Sequence, residues 1–225
     1  MKKHHTQKML INITEWIHRK LKRKMYTNAD PNKIIYVNPS DIQYESHSKW
    51  GTFLRKPGRI IGGKWDQSLP KFTDRIQYEG IKSHFVEGVD WKETQYYQER
   101  LRGNIGELNE EEKIDEYMNK IDNLYHSVKN NSYKLQEELD TSEWYHNQKR
   151  EIGVNIGRDG KFIWHFDGQH RLSIAKILNI DKVPVRVLVR HRRWESIRNK
   201  IKSGCNNKVP NEYSSHPDGN HMLVN

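Results

Sequence analysis

The stretch running from Glu151 to Val189 narrows the possible folds more than any other part of the chain. Apolar residues alternate at Ile152, Val154 and Ile156, break at Arg158-Asp159-Gly160, and resume at Phe162, Trp164 and Phe166. A period of two places alternate side chains on one face of a strand, and Asp-Gly supplies the turn chemistry of a tight hairpin. The pattern then changes. Leu172, Ala175 and Leu178 share a helical face, Asn179 is suited to close that helix in a left-handed cap, and Val183, Val185, Val187 and Val189 restore the period of two. Hairpin, helix and strand in such close succession predict an α+β domain built on a mixed sheet.

Upstream, "KIIYV" predicts a strand from Lys33 to Val37, stopped by Asn38-Pro39, with Ser40 or Asp41 starting a turn of helix. "RKPGRIIGGKWDQSLPKF" reads as loop because Pro57, Gly58, Gly62, Gly63 and Pro70 surround the pair Ile60-Ile61. From about Ile81 to Trp144 the pattern is helical and acidic, with Ile114, Tyr117, Ile121, Leu124 and Val128 as one stripe. The expected organisation is an arm over 1–29, a domain over 30–202 with a large helical insertion at about 65–148, and a loosely held tail over 203–225. Within the arm, "QKMLINITEWIHRKLKRKMY" (residues 7–26) predicts a basic amphipathic helix. It fits either packing on its own domain or lying on an anionic membrane surface.

The charge is unevenly spread. The formal net charge is +10, and residues 1–26 hold eight Lys/Arg against one acid, while residues 79–143 hold sixteen acids against eight bases. Residues 181–202 carry eight bases against two acids. A long phosphate-tracking surface is therefore confined to local patches, and nucleic-acid binding through Arg186, Arg190, Arg192, Arg193 and Arg198 stands as the second reading. The single cysteine, Cys205, excludes an internal disulfide and a Cys-pair zinc site. No run reaches the roughly 20 apolar residues of a spanning helix. The expected location is cytoplasmic, or peripheral to a membrane through residues 7–26.

The seam "FDGQHRL" concentrates the chemistry. A strand ends, Gly168 lets backbone approach a ligand closely, and a helix begins, whose free N–H groups and dipole favour an anion. Arg171 offers a planar fork for phosphate oxygens and His170 a further donor. Asp167 would repel phosphate, but suits a divalent cation or a hydroxyl awaiting deprotonation. The same letters also describe an ordinary Asp-Gly turn with a helix cap.

Hairpin, Gly-x-His-Arg turn, helix and Pro-Val strand together resemble the ParB/sulfiredoxin superfamily. The matching residues are Gly168, His170, Arg171 and Ala175, then Val183-Pro184-Val185, with "KIIYVNPSDI" similar to that superfamily's opening strand. Sulfiredoxins carry a reactive cysteine just before the His, where this chain has Gln169. Chromosome-segregation ParB proteins commonly have a glutamate at that place, with a helix-turn-helix domain following, whereas about thirty residues follow here. Free serine kinases of this fold, with Asp-Gly-His-His-Arg, are closer in motif. The resemblance implies a nucleotide-dependent phosphotransferase. Asp167 would serve Mg²⁺ and transfer, and Glu45 would be the base. Gly168, Gln169, His170 and Arg171 would hold the phosphates of a nucleoside di- or triphosphate. A small hydroxyl-bearing or glycan-type acceptor would sit against "IIGGKWD", with Gly63, Trp65 and Asp66 as its wall.

Overall fold

The computed structural model describes residues 25–107, 109–131, 133–135, 151–204 and 209–219. The helix expected over residues 7–26, apart from its last two positions, lies outside the described residues, as do Cys205 and Trp144. The chain forms a mixed α+β structure. Its strands are β1 (Ile34–Val37), β2 (Tyr44–Glu45), β3 (Arg59–Ile61), β4 (Ile152–Ile156), β5 (Phe162–Phe166) and β6 (Val183–His191). They make one sheet in the order β1-β6-β4-β5-β2, with β3 also on β6.

β6 is the spine of that sheet, and all nine of its residues are buried. β1 runs antiparallel to its first half, pairing Ile34 with Arg186 and Val37 with Val183. β3 runs parallel to its second half, pairing Arg59 with Val189. β4 lies alongside it in parallel, and β4 and β5 form the expected hairpin, with a register shift at Gly153/Val154. The turn closes through the Gly157 N–H to the Lys161 carbonyl at 2.9 Å, with Gly160 at φ 82. β3 corrects the loop reading of "RKPGRIIGGKWD": flanking glycines and prolines hid a three-residue strand whose pairing is entirely long-range.

The helices are α1 (Ile76–Glu87), α2 (Gln95–Leu101), α3 (Glu111–Asn131), α4 (Gln169–Ile177) and α5 (Arg192–Lys202). Thr94 caps α2 by accepting from the Tyr97 N–H at 3.2 Å, and Gly88 closes α1 in the left-handed region at φ 73. α1 and α2 cross so closely that a Cβ on Gly80 would come within 2.4 Å of Tyr96 Cβ. On α3 the most buried residues are Ile114, Met118, Ile121, Tyr125 and Val128, so the seam is turned by one residue from the expected stripe, and Tyr117 and Leu124 flank it. This helical layer packs on Ile174, Ile177 and Leu178 around α4. The region expected as an insertion thus covers the helix that begins at the seam.

One face of the sheet buries Ile35, Val154, Trp164, Val185 and Trp194 among others, while Leu54, Ile61, Trp65, Ile163 and Leu188 form a second cluster. The tail does not behave as expected over residues 209–219. Asp218 is fully buried, accepting from Arg190 Nε at 2.9 Å and from Trp194 Nε1 at 2.9 Å, while its carbonyl accepts from Arg198 Nε at 3.0 Å. Three buried donors on β6 and α5 need an acceptor, and the tail supplies it. Among the described residues no helix is long and apolar enough to cross a membrane.

Candidate functional site

β5 ends at Phe166, and the chain then takes two consecutive left-handed residues, Asp167 at φ 55 and Gly168 at φ 64, before α4 starts at Gln169. Gly168 is required twice over: by its φ, and because a Cβ there would lie 2.7 Å from Ile152 Cγ1. Asp167 has no such excuse, and a non-glycine residue held in this region is locally strained. The indole N–H of Trp164 donates to the Asp167 carbonyl at 2.9 Å and holds the turn in place. The N-cap residue of α4 is Gly168, which has no side chain with which to cap the helix. A crevice of about 670 Å³ opens over this turn, lined by Asp167, Gly168, Gln169 and His170 with Arg55 and Leu124 among its walls.

Glu45 comes alongside β5 from far away in sequence, just outside the residues that line the crevice. β2 lies parallel to β5, with Glu45 opposite Trp164, and it is fastened there by the Ser46 N–H to the Trp164 carbonyl at 2.9 Å. Arg75, immediately before α1, links the parts. It forms an ion pair with Glu45, donates to Gln169 Oε1 at 3.1 Å, and lies 4.4 Å from the centre of the Trp164 ring. Arg55 stacks over Phe166 at 3.7 Å, an exposed cation at the crevice wall. Sequence reading missed Arg55 and Arg75. Neither stands in a motif, and only the sheet order brings them to the seam.

His170 and Arg171 turn inward. His170 Nε2 lies 3.2 Å from the Tyr96 hydroxyl and 3.1 Å from the Tyr117 hydroxyl. Burial, with Arg100 and Arg75 nearby, lowers its pKa to about 4, so the ring is neutral, with Nε2 in hydrogen-bond reach of the hydroxyls of α2 and α3. Arg171 is buried and donates to the buried Glu151 carboxylate at 2.8 Å. These contacts fix the seam against the helical layer and against the start of β4, and both residues also line the crevice.

The proposed acceptor wall lies elsewhere. Trp65 is 1% exposed, its indole N–H reaching back to the Ile61 carbonyl at 3.3 Å. Asp66 is clamped by Arg158, which donates from its backbone N–H at 2.7 Å and from Nη2 at 2.7 Å, and also reaches the Gly63 carbonyl at 2.8 Å. Burial alone would raise the Asp66 carboxyl, but the bonds from Arg158 outweigh it and lower its pKa. Gly63, Trp65 and Asp66 therefore anchor the loop after β3 to the hairpin turn, instead of presenting a sugar-stacking surface. The arginine patch divides likewise: Arg186, Arg190 and Arg198 are buried, while Arg192 and Arg193 are exposed.

Among the described residues no three His, Cys, Asp or Glu side chains converge as a metal cage. Mg²⁺ seldom needs one, since it is commonly held by one or two carboxylates with the oxygens of a phosphate and water. Asp167, in the crevice wall, offers one carboxylate to a shell of that kind. Comparison with family models, with curated proteins and with solved structures finds no match to the chain.

Proposed function

We propose that the crevice at the end of β5 binds the phosphates of a nucleoside di- or triphosphate, and that the protein transfers a phosphoryl group to a small hydroxyl-bearing acceptor. The observation that carries this reading is the link from Glu45 through Arg75 to Gln169, the first residue of α4, where the helix opens on a glycine. The order of hairpin, turn, helix and strand is in keeping with a ParB/sulfiredoxin-like fold, and the acid at the seam with its free serine kinases.

In this mechanism the first-turn N–H groups of α4 and the exposed Arg55 hold phosphate oxygens. Mg²⁺, when bound through Asp167 and the phosphates, would neutralise charge that develops on transfer. Glu45 takes the acceptor's hydroxyl proton as the new O–P bond forms. The bond from the terminal phosphorus to its bridging oxygen breaks, and the shortened nucleotide leaves. Arg75 orients both Glu45 and Gln169, so it is a positioning residue. Arg171 and His170 act one layer further back, keeping the turn rigid.

The test is transfer from a nucleotide labelled in its terminal phosphate to a panel of serine, inositol and sugar acceptors. Glu45→Gln and Asp167→Asn should each keep nucleotide affinity within a few-fold while lowering turnover by a factor on the order of 10² or more. Arg55→Ala should instead weaken nucleotide binding. Equal turnover in wild type and both acid variants would make the acids structural and end the kinase reading. A thermal shift with nucleotide but no turnover on any acceptor would favour a nucleotide-responsive binding protein.

A further inference from the structure

A second cavity, of about 560 Å³, lies at the opposite end of α4 from the seam. Gln169 and Lys176 are seven residues apart, roughly 10 Å along a helix. The fully buried Phe72 stands between the two regions. It meets Trp164 edge-on at 5.5 Å, and Lys176 Nζ lies 5.9 Å from its ring centre. The cavity is therefore a separate compartment.

Its walls are mixed, polar and apolar in about equal parts, and carry two ammonium groups, Lys71 and Lys176. Lys176 uses one N–H on the Pro39 carbonyl at 2.6 Å, and an ammonium has three. The Asn38 carboxamide oxygen accepts from the N–H of Ser40 at 2.8 Å and from its hydroxyl at 2.7 Å, so its NH₂ is the end that the turn leaves unused. Asn179, at φ 51, closes α4 beside them, and Asp181 lies at the same wall. Amides and a carboxylate around a pair of cations match an anionic head on a body rich in hydroxyls.

We propose that this cavity is a binding site for a small phosphorylated polyol, with its phosphate between Lys71 and Lys176 and its hydroxyls on Asn38, Asn179 and Asp181. Burial lowers the Lys176 amine to about 8, against the opposing attraction of Asp41. A desolvated ammonium of this kind gains from an incoming anion, which restores the interactions lost on leaving water. The site uses none of the residues of the phosphotransferase reading, so the two can fail separately.

Binding is measured by calorimetry and thermal shift on the full chain with three probes: glucose 6-phosphate, inorganic phosphate and glucose. Glucose 6-phosphate should bind best, inorganic phosphate more weakly, and glucose least. Lys176→Met and Lys71→Gln should each weaken glucose 6-phosphate by about tenfold or more, the scale of one charge-assisted hydrogen bond. Glu45→Gln and Asp167→Asn should leave it unchanged. Melting without ligand checks that Lys176→Met still folds, and the exposed Lys71 supplies the second variant if it does not. No response to any probe, or an undiminished response in the lysine variants, would overturn the site. Equal affinity for inorganic phosphate and glucose 6-phosphate would overturn the polyol assignment.

Discussion

At the scale of the residue, His170 shows how a motif letter can serve the scaffold. Its unperturbed value of 6.5 falls to about 4 in the fold, first through burial and then through Arg100 and Arg75. The unfolded chain therefore binds a proton in that interval and the folded chain does not. Stability from this group is complete above about pH 6.5 and is lost as the pH falls toward about 4, with a slope of at most about 1.4 kcal/mol per pH unit. Burial also lowers His165 and His216, so they act in the same direction. Urea unfolding should thus show a midpoint that drops between pH 7 and pH 5, and drops by less in His170→Gln. An equal drop in both proteins would mean that His170 titrates normally.

At the scale of the element, the short tail segment around Asp218 behaves as a latch across β6 and α5. Burial alone would raise its carboxyl, but Arg190 and Arg198 hold it well below the usual range. Asp218→Ala leaves Arg190 buried without its carboxylate, whereas Arg198 keeps Glu195 at 3.5 Å, and one such uncompensated charge costs about 3–5 kcal/mol. A loss of unfolding free energy, measured by denaturant titration, of well under about 1 kcal/mol would show that water reaches these arginines. This latch was not legible beforehand, since "HPDGN" has the composition of a loose end, and only buried cations elsewhere make its acid necessary. The hairpin, α4 with its Asn179 cap, and β1 were legible because their period and punctuation are local. β2 and β3 were not, being two and three residues long and defined by their partners. The same division runs through the site. Asp167 and Gly168 announce themselves at a change of period, whereas Arg55 and Arg75 have no signal apart from the sheet that gathers them. Trp65 and Asp66 looked like a ligand wall because a Trp-Asp pair after glycines suits an anchored loop equally well.

At the scale of the whole molecule, the net charge of +10 is a weaker guide than the places where charge is exposed. Three of the five arginines that suggested a phosphate patch are buried, which leaves Arg192 and Arg193 on the exposed side of α5. Duplex DNA should therefore bind weakly, lose affinity steeply between about 50 and 200 mM salt, and hardly distinguish base sequences. Fluorescence anisotropy with a labelled duplex, wild type against an Arg192→Gln/Arg193→Gln double variant, checks this. Tight and sequence-selective binding would favour the nucleic-acid reading over phosphoryl transfer. The sheet order has one more consequence, for the order of synthesis. β1, β2 and β3 emerge first, yet their partners β5 and β6 lie about 100 to 150 residues downstream. At roughly 5–20 residues per second, the early strands wait on the order of ten seconds on the ribosome with their edges unpaired. Arg55 waits with them, so the nascent chain cannot assemble the crevice until the hairpin and the turn at Asp167 have left the exit tunnel.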